Sequence, residues 1–186
     1  MIELYRNAPK DGRVICFDEC GPLEIRPKGG ECWAETKKPQ RQPATYRRLQ
    51  GTQQLIAFYD VHADCLSGRV RDRKTHQDIL KCFQKLRRCY PKEEKLYLIE
   101  DNLSAHKHGK VIEYMENNQM KPVWLPTYAS WLNLIESHFG ILKKFTIRNS
   151  CYKTKEEQAK AIDAYLCRRN KLHNAQNCRL NKLIKT

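Results

Sequence analysis

Two short apolar runs set the architecture that this chain can adopt, and each ends in acid. Val14-Ile15-Cys16-Phe17 closes at Asp18, and Leu96-Tyr97-Leu98-Ile99 closes at Glu100-Asp101. Each is too short for a buried helix, and the first is bounded by Asp11-Gly12 and Gly21-Pro22, so residues 13–18 and 95–100 read as buried strands. A third carboxylate, Glu136, sits in Trp131-Leu132-Asn133-Leu134-Ile135, a strongly apolar helical pattern. A carboxylate in such surroundings is costly to bury without a compensating positive charge. Three of them brought together would suit Mg²⁺ or Mn²⁺, hard ions that prefer oxygen ligands.

The remaining elements follow in order. Residues 53–60 and 65–71 read as a hairpin turned at 61–64. A helix capped near Thr75 carries Ile79, Leu80, Phe83 and Leu86 at helical spacing. After strand 95–100, Ser104 is the candidate cap of a helix holding Val111, Ile112 and Met115. Lys121–Leu125 is a short strand stopped by Pro126, and Ser130 caps a helix running to about Arg148. A last amphipathic helix spans Thr154 to about Arg169. Residues 22–50, with five Lys or Arg after position 36, Pro22, Pro27, Pro39 and Pro43, form a basic insertion without a long regular element. The sum is one α/β domain, a mixed central sheet flanked by helices, over residues 13–170. Residues 1–12 lead in, and 171–186 form a basic tail.

Charge points to a partner. Thirty-five Lys and Arg against 21 Asp and Glu leave +14, an excess that suits a polyanion, with nucleic acid the commonest. In the insertion, Trp33 and Tyr46 lie among Lys37, Lys38, Arg41, Arg47 and Arg48, a composition suited to phosphate contact and base stacking. A solvated loop is the competing reading. The tail residues Arg168, Arg169, Lys171, Arg179, Lys182 and Lys185 divide evenly between the same two readings.

No apolar run approaches the roughly 18 residues of a membrane span, and no secretory signal opens the chain. The expected location is therefore the cytoplasm, on the nucleoid in a bacterium, with no membrane partner. Nine cysteines include no C-x-x-C pair, which favours free structural thiols over a zinc site.

Three blocks resemble the catalytic motifs of DDE transposases, the mariner superfamily and related bacterial insertion-sequence enzymes. They are Phe17-Asp18-Glu19, then Ile99-Glu100-Asp101-Asn102 with His106, then Leu125-Pro126-Thr127-Tyr128-Ala129-Ser130-Trp131-Leu132-Asn133-Leu134-Ile135-Glu136. Thirty-four residues separate Asp101 from Glu136, a spacing similar to the bacterial branch.

The resemblance covers about residues 13–170 and implies an RNase H-like fold. It also implies an Asp18-Asp101-Glu136 triad holding two Mg²⁺ or Mn²⁺ ions, Asp18 bridging both. By the same resemblance water cleaves a phosphodiester at a transposon end, and the exposed 3′-hydroxyl then attacks target DNA. Such enzymes carry N-terminal helix-turn-helix modules; this chain opens about a dozen residues before its first catalytic strand and reads as a catalytic domain alone. A separately encoded helix-turn-helix module and a homodimer are the protein partners to look for.

Asn102, His106 and Asn133 are candidates for orienting the carboxylates, with Asn133 placed to bond Glu136. Strand alternation turns Glu19 to the face opposite Asp18. Two competing functions remain at this level: another RNase H-like nuclease, and a decayed transposase that binds DNA without cutting it.

Overall fold

The computed structural model describes residues 1–31, 33–39, 41–43, 51–173 and 179–184. Five strands make one mixed sheet in the order β3-β2-β1-β4-β5: β1 Gly12–Glu24, β2 Thr52–Asp60, β3 Cys65–Arg71, β4 Lys95–Glu100 and β5 Met120–Trp124. The first three pair antiparallel as a meander, and β4 and β5 add in parallel to β1. Parallel strands need crossovers. Helices α2 (His76–Arg87) and α3 (Gly109–Asn117) supply them, after a short α1 (Ile2–Arg6). Helices α4 (Ile135–Thr146), α5 (Lys155–Leu172) and α6 (Asn181–Ile184) complete the chain.

Side-chain alternation along β1 divides the core in two. Ile15 and Phe17 face α2 and α3, packing on Phe58, Phe83, Leu86, Val111 and Met115. Val14, Cys16 and Cys20 face α4 and α5, packing on Ile135, Phe139, Leu142, Ile162 and Leu166. Phe17 anchors the first layer through ring contacts with Phe58, Phe83 and His106. No helix among the described residues is long and apolar enough to cross a membrane.

Several boundaries differ from the sequence reading. β1 does not stop at Asp18 but runs to Glu24 through Cys20 and Pro22. The register against β2 shifts between Cys20 and Leu23, and such a bulge is one of the few places in a sheet where proline is tolerated. Ser104 caps nothing: residues 104–107 form a turn, and α3 starts at Gly109 behind His108, whose ring accepts from the Lys110 N–H. The expected helix from Ser130 is broken. A 3₁₀ turn at Ser130–Leu132 is followed by an extended Asn133, and α4 begins only at Ile135.

Thr75 caps α2 in a reciprocal box with Asp78, as expected, and Thr154, read only as the start of the last helix, caps α5. Within the stretch read as a tail, Leu180, Leu183 and Ile184 are buried in the core. Six described cysteines are free, but Cys65 is disulfide-bonded, so the reading of uniformly free thiols fails there.

Candidate active site

Register explains how two distant carboxylates meet. In the parallel β1–β4 ladder the last aligned pair is Cys16 with Ile99. Asp18 and Asp101 each stand two residues beyond it, at the C-terminal edge of the parallel pair. Asp18 remains within β1, pointing toward the α4 layer with Cys16 and Cys20, while Asp101 follows directly on β4.

Asp18 is buried, 7% exposed, with Oδ1 accepting the Glu19 N–H at 2.7 Å. Burial pushes its carboxyl up to about 7, and the charges of Glu136, Asp101 and Glu19 push in the same direction against that single hydrogen bond. Glu136 and Asp101 are therefore near enough to Asp18 to act on its carboxyl.

Asn133 holds Asp18 from the other side. Its Nδ2 donates to the Phe17 carbonyl at 3.0 Å and more weakly to Asp18 Oδ2 at 3.4 Å. The break between the 3₁₀ turn and α4 is what lets this buried amide reach β1. The expected bond from Asn133 to Glu136 is absent: only its main-chain carbonyl serves that residue, accepting the Glu136 N–H that opens α4.

Glu136 is exposed in the first turn of α4. The apolar pattern suggested a poorly solvated side chain. The helix turns Ile135 and Phe139 inward and leaves Glu136 outward at the mouth.

Asp101 is tied to His106. His106 Nδ1 lies 2.9 Å from Asp101 Oδ1, and its Nε2 lies 2.7 Å from Glu19 Oε1. Burial alone would lower the imidazole, but Asp101, Glu19 and Glu100 override it and hold it up to about 10, so both ring nitrogens carry protons. In return the His106 hydrogen bond lowers Asp101 against its partial burial, helped by the Leu103 N–H at 3.0 Å. His106 thus belongs to the turn before α3 and not to a helix. Asn102 plays a different part, donating to the Leu125 carbonyl at 2.5 Å and tying the end of β4 to the end of β5.

Two residues near this centre escaped sequence reading. Glu100 is fully buried on the α2–α3 side, and burial first, then Asp101 and Glu19, push it up to about 8 against His106. Alternation with Leu96 and Leu98 would have turned it inward. Lys74, 3.7 Å from Glu19, carries no signal in its spacing.

The donors present are hard oxygens with excess negative charge, the chemistry that Mg²⁺ or Mn²⁺ requires. Among the described residues, however, no three His, Cys, Asp or Glu side chains are gathered closely enough to hold an ion. The hydrogen bond from His106 is what engages Asp101 here.

Of the basic insertion, Trp33, Lys37, Lys38 and Arg41 are exposed, and Lys38 pairs with Glu35 at 2.7 Å. Trp33 shares a cleft of about 600 Å³ with Gly29, Gly30, Lys144 and Arg148, beside the C-terminal end of α4. Tyr46, Arg47, Arg48 and Lys185 lie outside the described residues. In the C-terminal stretch, Arg169 is ion-paired with Asp64 and Arg179 with Glu94, which engages two of the charges considered for DNA.

A family model described as DDE superfamily endonuclease matches residues 13–158. The chain belongs to that superfamily. Its fold is similar to the Mos1 strand transfer complex, at 14% identity and TM-score 0.67, covering 100% of this chain and 58% of that one. The Mos1 mariner paired-end complex with Mn matches at 13% identity and TM-score 0.67, covering 100% and 60%. A simian T-cell lymphotropic virus intasome matches at 12% identity and TM-score 0.58, covering 81% and 47%. The fold is thus RNase H-like, a mixed five-stranded sheet flanked by helices. The chain spans about three-fifths of the Mos1 chains that it matches. No curated protein matches the sequence significantly.

Proposed function

We propose that this chain is a transposase catalytic domain that cleaves DNA and transfers strands with the help of divalent metal, using Asp18, Asp101 and Glu136. The observation that carries the reading is the buried Asp18 carboxyl at the edge of the parallel strands, its charge opposed by Glu136 and Asp101. A buried carboxylate facing like charges is costly unless a cation joins them. Mos1 complexes with Mg and with Mn support the choice of ion.

Asp18, Asp101 and Glu136 would together hold two Mg²⁺ or Mn²⁺ ions, which would activate the attacking oxygen and neutralise charge on the departing one. The chain's own work is placement. Asn133 fixes the orientation of Asp18, His106 that of Asp101, and the start of α4 presents Glu136 from the third side. The nucleophile is water for end cleavage and the freed 3′-hydroxyl for strand transfer, so no protein side chain is acylated or phosphorylated.

DNA is held by the exposed Trp33, Lys37, Lys38 and Arg41, with Lys144 and Arg148 joining Trp33 at its cleft, which Glu31 also lines. Recognition of the element ends is assigned to a helix-turn-helix module outside residues 13–170, and pairing of two ends to a homodimer. The test is a plasmid-nicking assay with Mg²⁺ or Mn²⁺. Wild type is expected to nick and Glu136→Gln to be inert at unchanged DNA affinity, a loss in turnover and not in binding. Equal nicking by the two proteins would overturn the triad, and Glu19 would be the next carboxylate to replace.

A further inference from the structure

Glu100 is the anomaly of the site. It is 0% exposed, and neither carboxylate oxygen has a hydrogen-bond partner. Buried polar groups are almost always satisfied, so an orphan pair beside a catalytic centre calls for a physical reason. Glu100 Oε2 lies 3.8 Å from His106 Nδ1, just outside hydrogen-bond range. That same nitrogen donates to Asp101 Oδ1 at 2.9 Å, while Nε2 is held by Glu19 at 2.7 Å. The ring thus has one fixed end and one end facing two carboxylates and the Asp101 carbonyl.

We propose that Glu100 is the alternative acceptor for His106 Nδ1: when Asp101 turns to a divalent cation, the imidazole passes its hydrogen bond to Glu100 while Glu19 keeps the other end in place. This rests on the metal-binding reading given above. Asp101 cannot give its Oδ1 fully to both a cation and the His106 Nδ1–H. Without Glu100, its departure would leave the buried N–H only the Asp101 carbonyl at 3.4 Å; with Glu100 present, the same small ring movement satisfies both the donor and the orphan oxygen. Glu19, His106 and Glu100 are therefore positioning residues acting through Asp101. The Asp101 carbonyl, 3.4 Å from Nδ1, is the competing acceptor that the test must exclude.

The test uses the full chain with two neutral replacements, Glu100→Gln, which keeps an acceptor oxygen, and Glu100→Met, which has none. A charge acting only through space would treat them alike. Isothermal titration with Mn²⁺ is expected to show about tenfold weaker binding in Glu100→Met and substantial recovery in Glu100→Gln, the size of effect that partners of metal ligands produce. Equal affinities in the two variants would overturn the exchange. A second readout needs no variant: in the wild type with labelled histidine, the His106 Nδ1–H signal should stay protected from solvent exchange on saturation with Mg²⁺. Loss of that protection would overturn it too, since no acceptor would have taken over. If wild type gave no saturable Mn²⁺ binding sensitive to Asp18→Asn, the metal reading itself would fall, and this proposal with it.

Discussion

Asp18→Asn should stabilise the metal-free protein, and by an amount that depends on pH. The carboxyl of Asp18 is raised from 3.8 to about 7, chiefly by burial and then by its acidic neighbours. A raised pKa means that the folded chain binds a proton which the unfolded chain has already lost. Between about pH 4 and 7 the folded state therefore holds more protons, and its stability falls as pH rises. At about 1.4 kcal/mol for each pH unit, the contribution amounts to about 4 kcal/mol by neutral pH. Asparagine has no charge to bury and retains an oxygen for the Glu19 N–H. Its melting temperature in EDTA should match wild type near pH 4 and exceed it by roughly 10 °C at pH 8. Differential scanning calorimetry across that range decides the matter. His106, raised to about 10, adds a fall of the same sign above pH 6.5, but it is common to both proteins and cancels in the difference. Parallel curves for wild type and Asp18→Asn, with no divergence between pH 4 and 7, would refute the reasoning.

Saturating Mn²⁺ should reverse that ranking, because a cation that binds only the folded wild type raises its melting temperature and leaves Asp18→Asn unmoved. Asn133→Ala should lose about 1–3 kcal/mol of stability in denaturant unfolding, since it strips a donor from the buried Phe17 carbonyl and from Asp18. Nicking should fall with it. Replacing Lys37, Lys38 and Arg41 with Gln should flatten the dependence of log K on log salt for duplex DNA by about 0.9 for each phosphate that is no longer neutralised. An unchanged slope would return the insertion to the role of a solvated loop.

The sheet was legible because its strands are short apolar runs between turn signals, and the hairpin and the α2 cap were read from the same local chemistry. Local rules failed where tertiary structure overrode them. Pro22 would normally end a strand, yet β1 carries it at a register shift. The apolar string 130–136 reads as one helix, but Asn133 leaves helical geometry to bond Phe17 and Asp18 across 115 residues or more of sequence, a contact that no spacing announces. The identity of the site came from motif blocks. Its support did not: that Glu19 faces away from Asp18 follows from alternation, but that His106 joins Glu19 to Asp101 and leaves Glu100 unpartnered is visible only in three dimensions.

The most direct test of the central claim is a crystal of this chain soaked in Mn²⁺ and measured at an anomalous wavelength. The account predicts two peaks among Asp18, Asp101 and Glu136, about 3.5–4 Å apart as in two-metal phosphodiester enzymes, with Asp18 contacting both. Manganese absent from that edge of the sheet, or bound there without Asp18, would contradict it.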